Sequence, residues 1–427
     1  MSVKLSLKKF INILIWLSIL TSSFDIIGVF RIAGFTVRIS QILMLFVMFY
    51  FVIDFIRNGK VPIPVGYGWL CLCVVINTAF VFNSKSFINA FGYALWFIFD
   101  AFEIIVVLYF LKTEETLESI TRKYINCFTF VGWIGLLQFV LQFFGIYFFV
   151  TQQTSMHRCN GFSYEPSYYA TYLLMGWGIC IYLLENSNYT ALSRQKLIKS
   201  TIVITLALLL STSRMGWLMV AGYIAVRCFV ILFGRHRGRM PIWKFMMIIF
   251  LIAGIGVFIY AAYGAAVGNP KILKYLEGLG IGNTAAHSTD TRIDGVLEVL
   301  EVFRSSPIIG CSLGGVDAAI CFNRGITYSV NLNGVGTAVF AEMLAAFGVI
   351  GFAFWIKYLY VFIYKKYKSI KKCLNKTNRE ILMAFIIALV MEFIILQMNQ
   401  NILRQYLWMH IAVMSAVYYL AERGKEA

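Results

Sequence analysis

The chain has 427 residues, of which 60% are hydrophobic and only 13% charged, with a mean hydropathy of +0.77. A soluble domain of this length has no core large enough for that many apolar side chains, so the composition excludes one and leaves an integral membrane protein. The net charge of +17 is spread between apolar segments, and nucleic acid is not an expected partner.

Twelve apolar segments follow one another, near 10–30, 37–56, 63–82, 88–111, 124–149, 165–185, 197–211, 214–233, 244–263, 335–364, 381–398 and 405–421. As helices, the longer ones each cross about 30 Å of hydrocarbon. The first has the charge and apolar length of a signal peptide. It lacks a small-x-small cleavage site and runs on into Phe24–Phe30, so it reads as an uncleaved helix. With the N-terminus inside, 24 of the 37 Lys and Arg fall on cytoplasmic segments and 11 on external ones; Arg227 and Lys357 lie within helices. This positive-inside asymmetry places both termini in the cytoplasm. The expected fold class is an all-α polytopic membrane protein of about 12 transmembrane helices, one integral membrane domain over 1–427. One large periplasmic loop, 264–333, contains short helices.

Five cysteines, Cys71, Cys73, Cys127, Cys180 and Cys228, lie in apolar segments and act as small hydrophobes. Cys71-x-Cys73 lacks the second pair that a zinc site needs, and no metal is expected. Cys311 and Cys321 fall outside, where an oxidising periplasm permits a disulfide.

The external segment 152–167 ends in Glu165-Pro166, with Pro166 suited to a first helical turn. Glu165 then stands at the top of the sixth membrane helix, seven residues after Arg158. Tyr164, Tyr168, Tyr169 and Tyr172 cluster there, as an aromatic belt or as a platform for sugar. Next, Ser211-Thr212-Ser213-Arg214 divides two apolar runs, so Arg214 belongs to a tight turn at a membrane face. An arginine so close to hydrocarbon is a functional-site candidate. In the long loop, Thr291 and Asp294 predict a capping box. The amphipathic helix it opens has Ile293, Val296, Leu297, Leu300 and Phe303 on one face. Arg292 sits in the predicted first turn, where helix amides also favour an anion. Asn399, Gln400, Asn401 and Arg404 form the last external turn, as turn formers or as sugar contacts.

Arg158, Arg214 and Arg292 thus share one side of the membrane with Glu165. Guanidinium groups grip phosphate oxygens as a fork and stabilise a departing pyrophosphate. A carboxylate beside them takes a proton from an attacking hydroxyl. Glu165, Arg214 and Arg292 are the candidate catalytic residues. Arg158, Tyr164, His287, Asp290, Asn399 and Arg404 are the candidate substrate contacts. No metal or cofactor is required. Each residue also has a plainer reading. Arg158 serves as an interface anchor, Arg214 as a helix-end cation, Arg292 as a partner of Asp290 or Asp294, and Glu165 as a first-turn acid.

Four stretches resemble one family. R-C-N-G-F-S-Y-E-P-S-Y-Y-A (158–170) resembles the R-x-x-G-x-F-x-E-P-S stretch of O-antigen and capsule repeat-unit polymerases of the Wzy type. S-T-S-R-M-G-W (211–217) resembles the T-x-S-R-x-G turn that those polymerases share with O-antigen ligases. D-T-R-I-D-G with P-I-I-G-C-S-L-G (290–314) resembles their D-x-R and P-x-x-G-x-G-x-G loop segment. The run from Gly336 to Gly351 resembles the helix that follows. Two positions depart: Ser312 stands where the pattern has its second glycine, and Thr337 where the ligases have histidine. The second departure favours polymerase over ligase.

The resemblance implies a polymerase that joins undecaprenyl-pyrophosphate-linked oligosaccharide repeat units at the periplasmic face of a bacterial inner membrane. A chain-length regulator and a flippase are its implied partners beside the lipid bilayer. Two rivals stand: an O-antigen ligase acting on lipid A–core, and a transporter or flippase of lipid-linked sugar. A transporter should place polar residues at the bilayer midplane on broken helices.

Overall fold

The computed structural model describes residues 2–32, 35–151, 157–185, 192–233, 283–327, 338–370, 376–398 and 402–423. The first helix, α1 (Ser2–Thr21), stops earlier than the apolar run that encodes it. Ser22 turns its hydroxyl back onto the Ile19 carbonyl (2.8 Å), and the Asp25 N–H leaves for the Phe162 carbonyl (2.8 Å). A short antiparallel hairpin follows, β1 (Val29–Ile32) against β2 (Phe35–Arg38), with Val29 opposite Arg38. The apolar run 10–30 predicts helix as far as the first half of β1, where the structure has strand. Branched Val29, Ile32, Thr36 and Val37 suit strands, and Asp25 and Gly28 break the helix before them.

Next come α2 (Ile39–Asn58), α3 (Tyr67–Ala79), α4 (Phe87–Glu114) and α5 (Leu117–Gln142). The middle of the chain forms α6 (Pro166–Glu185), α7 (Arg194–Leu210) and α8 (Arg214–Phe233). Two helices, α9 (Asn283–Ser305) and α10 (Gly315–Asn323), precede α11 (Val339–Leu359), α12 (Lys376–Ile395) and α13 (Gln405–Arg423).

Six described helical segments are long and apolar enough to cross a membrane, built on α2, α4, α5, α6, α11 and α12. Of these, α6 is the most enclosed and α2 the least. The centre is packed around α4, α6, α12 and α13, mostly with apolar side chains, with Trp177, Trp355 and Trp408 fully buried and Asp100, Glu103, Glu392 and His410 enclosed among them. At the periphery, Phe46, Phe49 and Ile56 of α2 are 63%, 69% and 77% exposed. Rings turned outward over so wide a surface need an apolar solvent, which a bilayer supplies. The expected segment 244–263, and 264–282 and 328–333 of the long loop, lie outside the described residues.

Candidate functional site

The segment carrying Arg158 and Glu165 is irregular, and two glutamines one turn apart on α5 hold it. Gln142 accepts the Arg158 N–H (3.2 Å) and donates to its carbonyl (2.8 Å). Gln138 accepts the Asn160 N–H (3.3 Å) and donates to the Gly161 carbonyl. Side-chain amides here do what a neighbouring strand would do, so a buried loop keeps its backbone paired. The Cys159 N–H reaches the Leu210 carbonyl (3.2 Å), tying the loop to the end of α7. Gly161 has a φ of +58°, and a Cβ there would lie 2.7 Å from the buried Tyr169 ring.

The loop ends by starting α6. Glu165 is the N-cap residue: its carbonyl accepts the Tyr168 and Tyr169 N–H groups at 3.1 and 3.2 Å. Pro166 fills the first helical position without losing a hydrogen bond. The Ser167 hydroxyl donates to the Glu165 carboxylate at 3.0 Å, which fixes one oxygen of a half-buried side chain.

The Arg214 turn is built from its own hydroxyls. Ser211 accepts the Ser213 N–H (3.2 Å), and Ser213 caps α8 by accepting the Gly216 N–H (3.4 Å). Thr212 is held at a φ of 51° between them. Arg214 is the first residue of α8 and is exposed. Arg158 donates from Nε to the Ser211 carbonyl (3.3 Å), so the two arginine-bearing segments are joined directly.

Arg292 reaches the same place by a different route from the one expected. The helix does not begin at Thr291: α9 starts at Asn283, so Arg292 lies in its third turn. Nothing in Asn283-Thr-Ala-Ala-His-Ser-Thr-Asp290 breaks a helix, and propagation upstream is favoured once a helix is nucleated. Amides of a helix start therefore do not assist Arg292. The apolar face is also rotated. Val299 and Val302 are buried, whereas Ile293 and Leu297 are each 53% exposed.

The charges nevertheless converge. Burial lowers the pKa of Arg158 from its ordinary value; Cys159 and Glu165 oppose that shift and Arg214 adds to it. Burial likewise lowers that of Arg292, with Arg214 acting the same way and Glu165 opposing. Arginine stays charged through such shifts. Arg158 and Arg292, from separate parts of the chain, are thus each influenced by Glu165 and Arg214.

Arg404 borders this group through Tyr168 of the tyrosine cluster and through Asp25, which the sequence did not single out. Its guanidinium lies 3.7 Å from the Tyr168 ring centroid and 3.5 Å from the Asp25 carboxylate. Asp25 also binds Arg38 at 2.7 Å. Burial lowers the Arg404 pKa, but Asp25, Tyr406 and Tyr168 outweigh it and the net shift is upward. The Arg404 Nε is buried and has no hydrogen-bond partner. Asp25, alone after an apolar run, was the one visible hint of this arrangement. Tyr164 is half exposed, whereas Tyr169 and Tyr172 are buried in the bundle, so the tyrosine cluster is neither one belt nor one platform. Tyr169 donates to the Val131 carbonyl (3.0 Å) as a core residue. His287 and Asp290 fall on the first turns of α9, but their side chains, like Asn399 as a whole, lie outside the described residues.

The two glycine-bearing motifs pack on each other. At Gly348 (φ 61°, ψ −174°) α11 breaks, and the segment 307–314 is laid into the break. The Val349 N–H binds the Pro307 carbonyl (2.8 Å), and the Ser312 N–H binds that of Ala346 (2.8 Å). Cys311 and Cys321 are both free thiols, so the bridge that the sequence allowed is not formed.

No protein-family model, curated protein or solved structure matches this chain.

Proposed function

We propose that the chain is a repeat-unit polymerase acting on undecaprenyl-pyrophosphate-linked oligosaccharides, with 12 transmembrane helices and its site on the periplasmic side. The observation that carries this reading is the direct tie between the Arg158–Glu165 loop and the Arg214 turn, with Glu165 and Arg214 also acting on Arg292. These four are the positions that match the polymerase motifs. The donor is the growing glycan on its lipid pyrophosphate, and the acceptor is the incoming repeat unit. An acceptor hydroxyl attacks the anomeric carbon from the face opposite the leaving group. The new C–O bond forms as the bond to pyrophosphate breaks, and the pyrophosphate keeps the electron pair. Arg214 and Arg292 stabilise that charge. Glu165 takes the hydroxyl proton. The Ser167 hydroxyl occupies one carboxylate oxygen, which leaves the other for the acceptor.

A reconstituted assay with purified lipid-linked repeat units tests this. Wild-type chain should yield polymer, and Arg214→Ala should yield none. Transfer of glycan to lipid A–core in place of polymer growth would assign ligase activity instead.

One observation favours the transporter reading. Glu392 of α12 and His410 of α13 are fully buried 3.9 Å apart, inside the helical bundle. Tyr124 lies 3.1 Å from His410 and extends this polar line. Translocation of a fluorescent lipid-linked sugar by proteoliposomes that form no polymer would select that reading.

A further inference from the structure

A cleft of about 1020 Å³ opens between the start of α3 and the end of α11. The two helices run antiparallel, as the Cys73 thiol meeting the Gly351 carbonyl (3.6 Å) and Gly66 beside Val361 require. Val339 is at the Arg404 end of α11, because its neighbour Phe340 donates to Gln397 (3.0 Å). Lys357 lies near the other end of α11, beyond the break at Gly348. The cleft is therefore at the opposite end of the bundle from the arginines.

Lys357, Lys365 and Lys368 line it, and no carboxylate does. Among the described residues none of the three pairs with an acid, whereas the adjacent Lys366 is bound by Glu422. Rings complete the rim. Lys357 lies 5.5 Å from the Tyr360 ring and 5.9 Å from that of Trp69, and Tyr360 stacks on Tyr364 at 5.0 Å. The helix widens to a π turn over Tyr360–Lys365, a distortion frequent at functional positions. The opposite wall is apolar, with Ile63 78% and Leu72 41% exposed.

We infer that this cleft binds the phosphate headgroup of an anionic bilayer phospholipid. Three exposed lysines on one cleft, with no counter-acid among the described residues, attract an anion. Basic pockets between membrane helices take lipid headgroups in this way. The volume and the apolar wall far exceed a free phosphate ion, and they match a headgroup with the first carbons of its chains. Tyr and Trp at the rim are the side chains that settle at headgroup depth. The inference stands apart from the polymerase reading, since no arginine of that cluster takes part.

The test is native mass spectrometry of the full chain in detergent, titrated with phosphatidylglycerol or phosphatidylcholine. Wild type should retain phosphatidylglycerol in preference to phosphatidylcholine, with inorganic phosphate failing to displace it. Lys365→Gln and Lys368→Gln, both at exposed positions, should each weaken retention about fivefold, and the triple variant with Lys357→Gln on the order of a hundredfold. Lys85→Gln, at the other end, should change nothing. Equal retention of the two lipids, unchanged retention in the triple variant, or displacement by phosphate alone would each overturn the inference.

Discussion

The guanidinium of Arg404 sits 3.7 Å from the centroid of the Tyr168 ring, so the residue before the last helix is held by the first turn of α6. Asp25 supplies its counter-charge at 3.5 Å, and Arg38 shares that carboxylate. Three distant segments meet there, and the arrangement stiffens the rim beside Glu165.

Removal of Arg404 should therefore cost more than removal of its ring partner. Arg404→Ala leaves a largely enclosed Asp25 with one cation instead of two, and should lower stability by about 3 kcal/mol. Tyr168→Ala loses a cation–π contact and some packing, about 2 kcal/mol. Tyr168→Phe keeps the ring and should stay near wild type. Thermal unfolding of the detergent-solubilised protein would rank the three. An Arg404→Ala midpoint equal to wild type would show that the stack bears no load.

Gly310 and Gly348 make a second dependence visible. A Cβ on Gly310 would come within 2.3 Å of the Ala346 carbonyl oxygen, and one on Gly348 within 2.3 Å of that of Ile308. Both also have positive φ. Either glycine replaced by alanine should cost at least about 3 kcal/mol, from backbone strain and overpacking together. Ser312 is the contrast: it is held at a φ of 66°, and its hydroxyl donates to Asn77 at 3.1 Å. Ser312→Gly trades that bond against relief of strain, and should fall within about 1 kcal/mol of wild type. Yields of monodisperse protein on size exclusion would separate the two classes.

These glycines show where the sequence was readable. The motifs 307–314 and 336–351 were visible, but a pattern of glycines does not say which backbone each one faces. Likewise the tight turn at Ser211–Ser213 followed from four polar residues between apolar runs, because the hydrocarbon leaves no other place for them. The start of α9 did not follow. Thr291 and Asp294 look like a cap, yet nothing upstream stops the helix, and local signals yield to propagation. The β1–β2 hairpin straddles the gap between the apolar runs 10–30 and 37–56, whose ends suit either period. Arg404 on Tyr168 is a contact across the whole fold, and no spacing along the chain encodes it.

Topology has its own test. Tyr164 precedes α6 and is half exposed, and Lys376 opens α12 and is exposed. In a cysteine-free background, an impermeant thiol reagent should label Tyr164→Cys in intact spheroplasts and leave Lys376→Cys untouched until the membrane is broken. The reverse pattern would put the arginine cluster in the cytoplasm and end the polymerase proposal.

Arg214 should be indispensable to activity and dispensable to folding. It is exposed at the first position of α8, and the cap is provided by Ser213, not by Arg214. Arg214→Ala should insert normally and form no long chains. Arg214→Lys should recover activity only in part, since a point charge does not replace a two-toothed fork. Long chains of normal length in Arg214→Ala cells would remove the pyrophosphate clamp from the mechanism.

The role of Glu165 is the sharpest question, because the structure supplies a plain use for its backbone. Its carbonyl caps α6 whatever the side chain is, so replacement of the side chain leaves the helix start in place. The carboxylate accepts the Ser167 hydroxyl at one oxygen, and Gln can accept that same bond. Glu165→Gln therefore isolates basicity from shape. With purified lipid-linked repeat units it should bind donor nearly as wild type and turn over at least about a hundredfold more slowly, the usual reach of a general base. Ser167→Ala is the companion variant. It removes the Ser167 donor from the carboxylate and should change turnover far less than Glu165→Gln does. Wild-type turnover in Glu165→Gln would reduce Glu165 to a structural cap and send the search for the base to His287, Asp290 and Asp294. A collapse of donor binding with normal chemistry in the residual complex would instead make Glu165 the residue that orients Arg158 and Arg292.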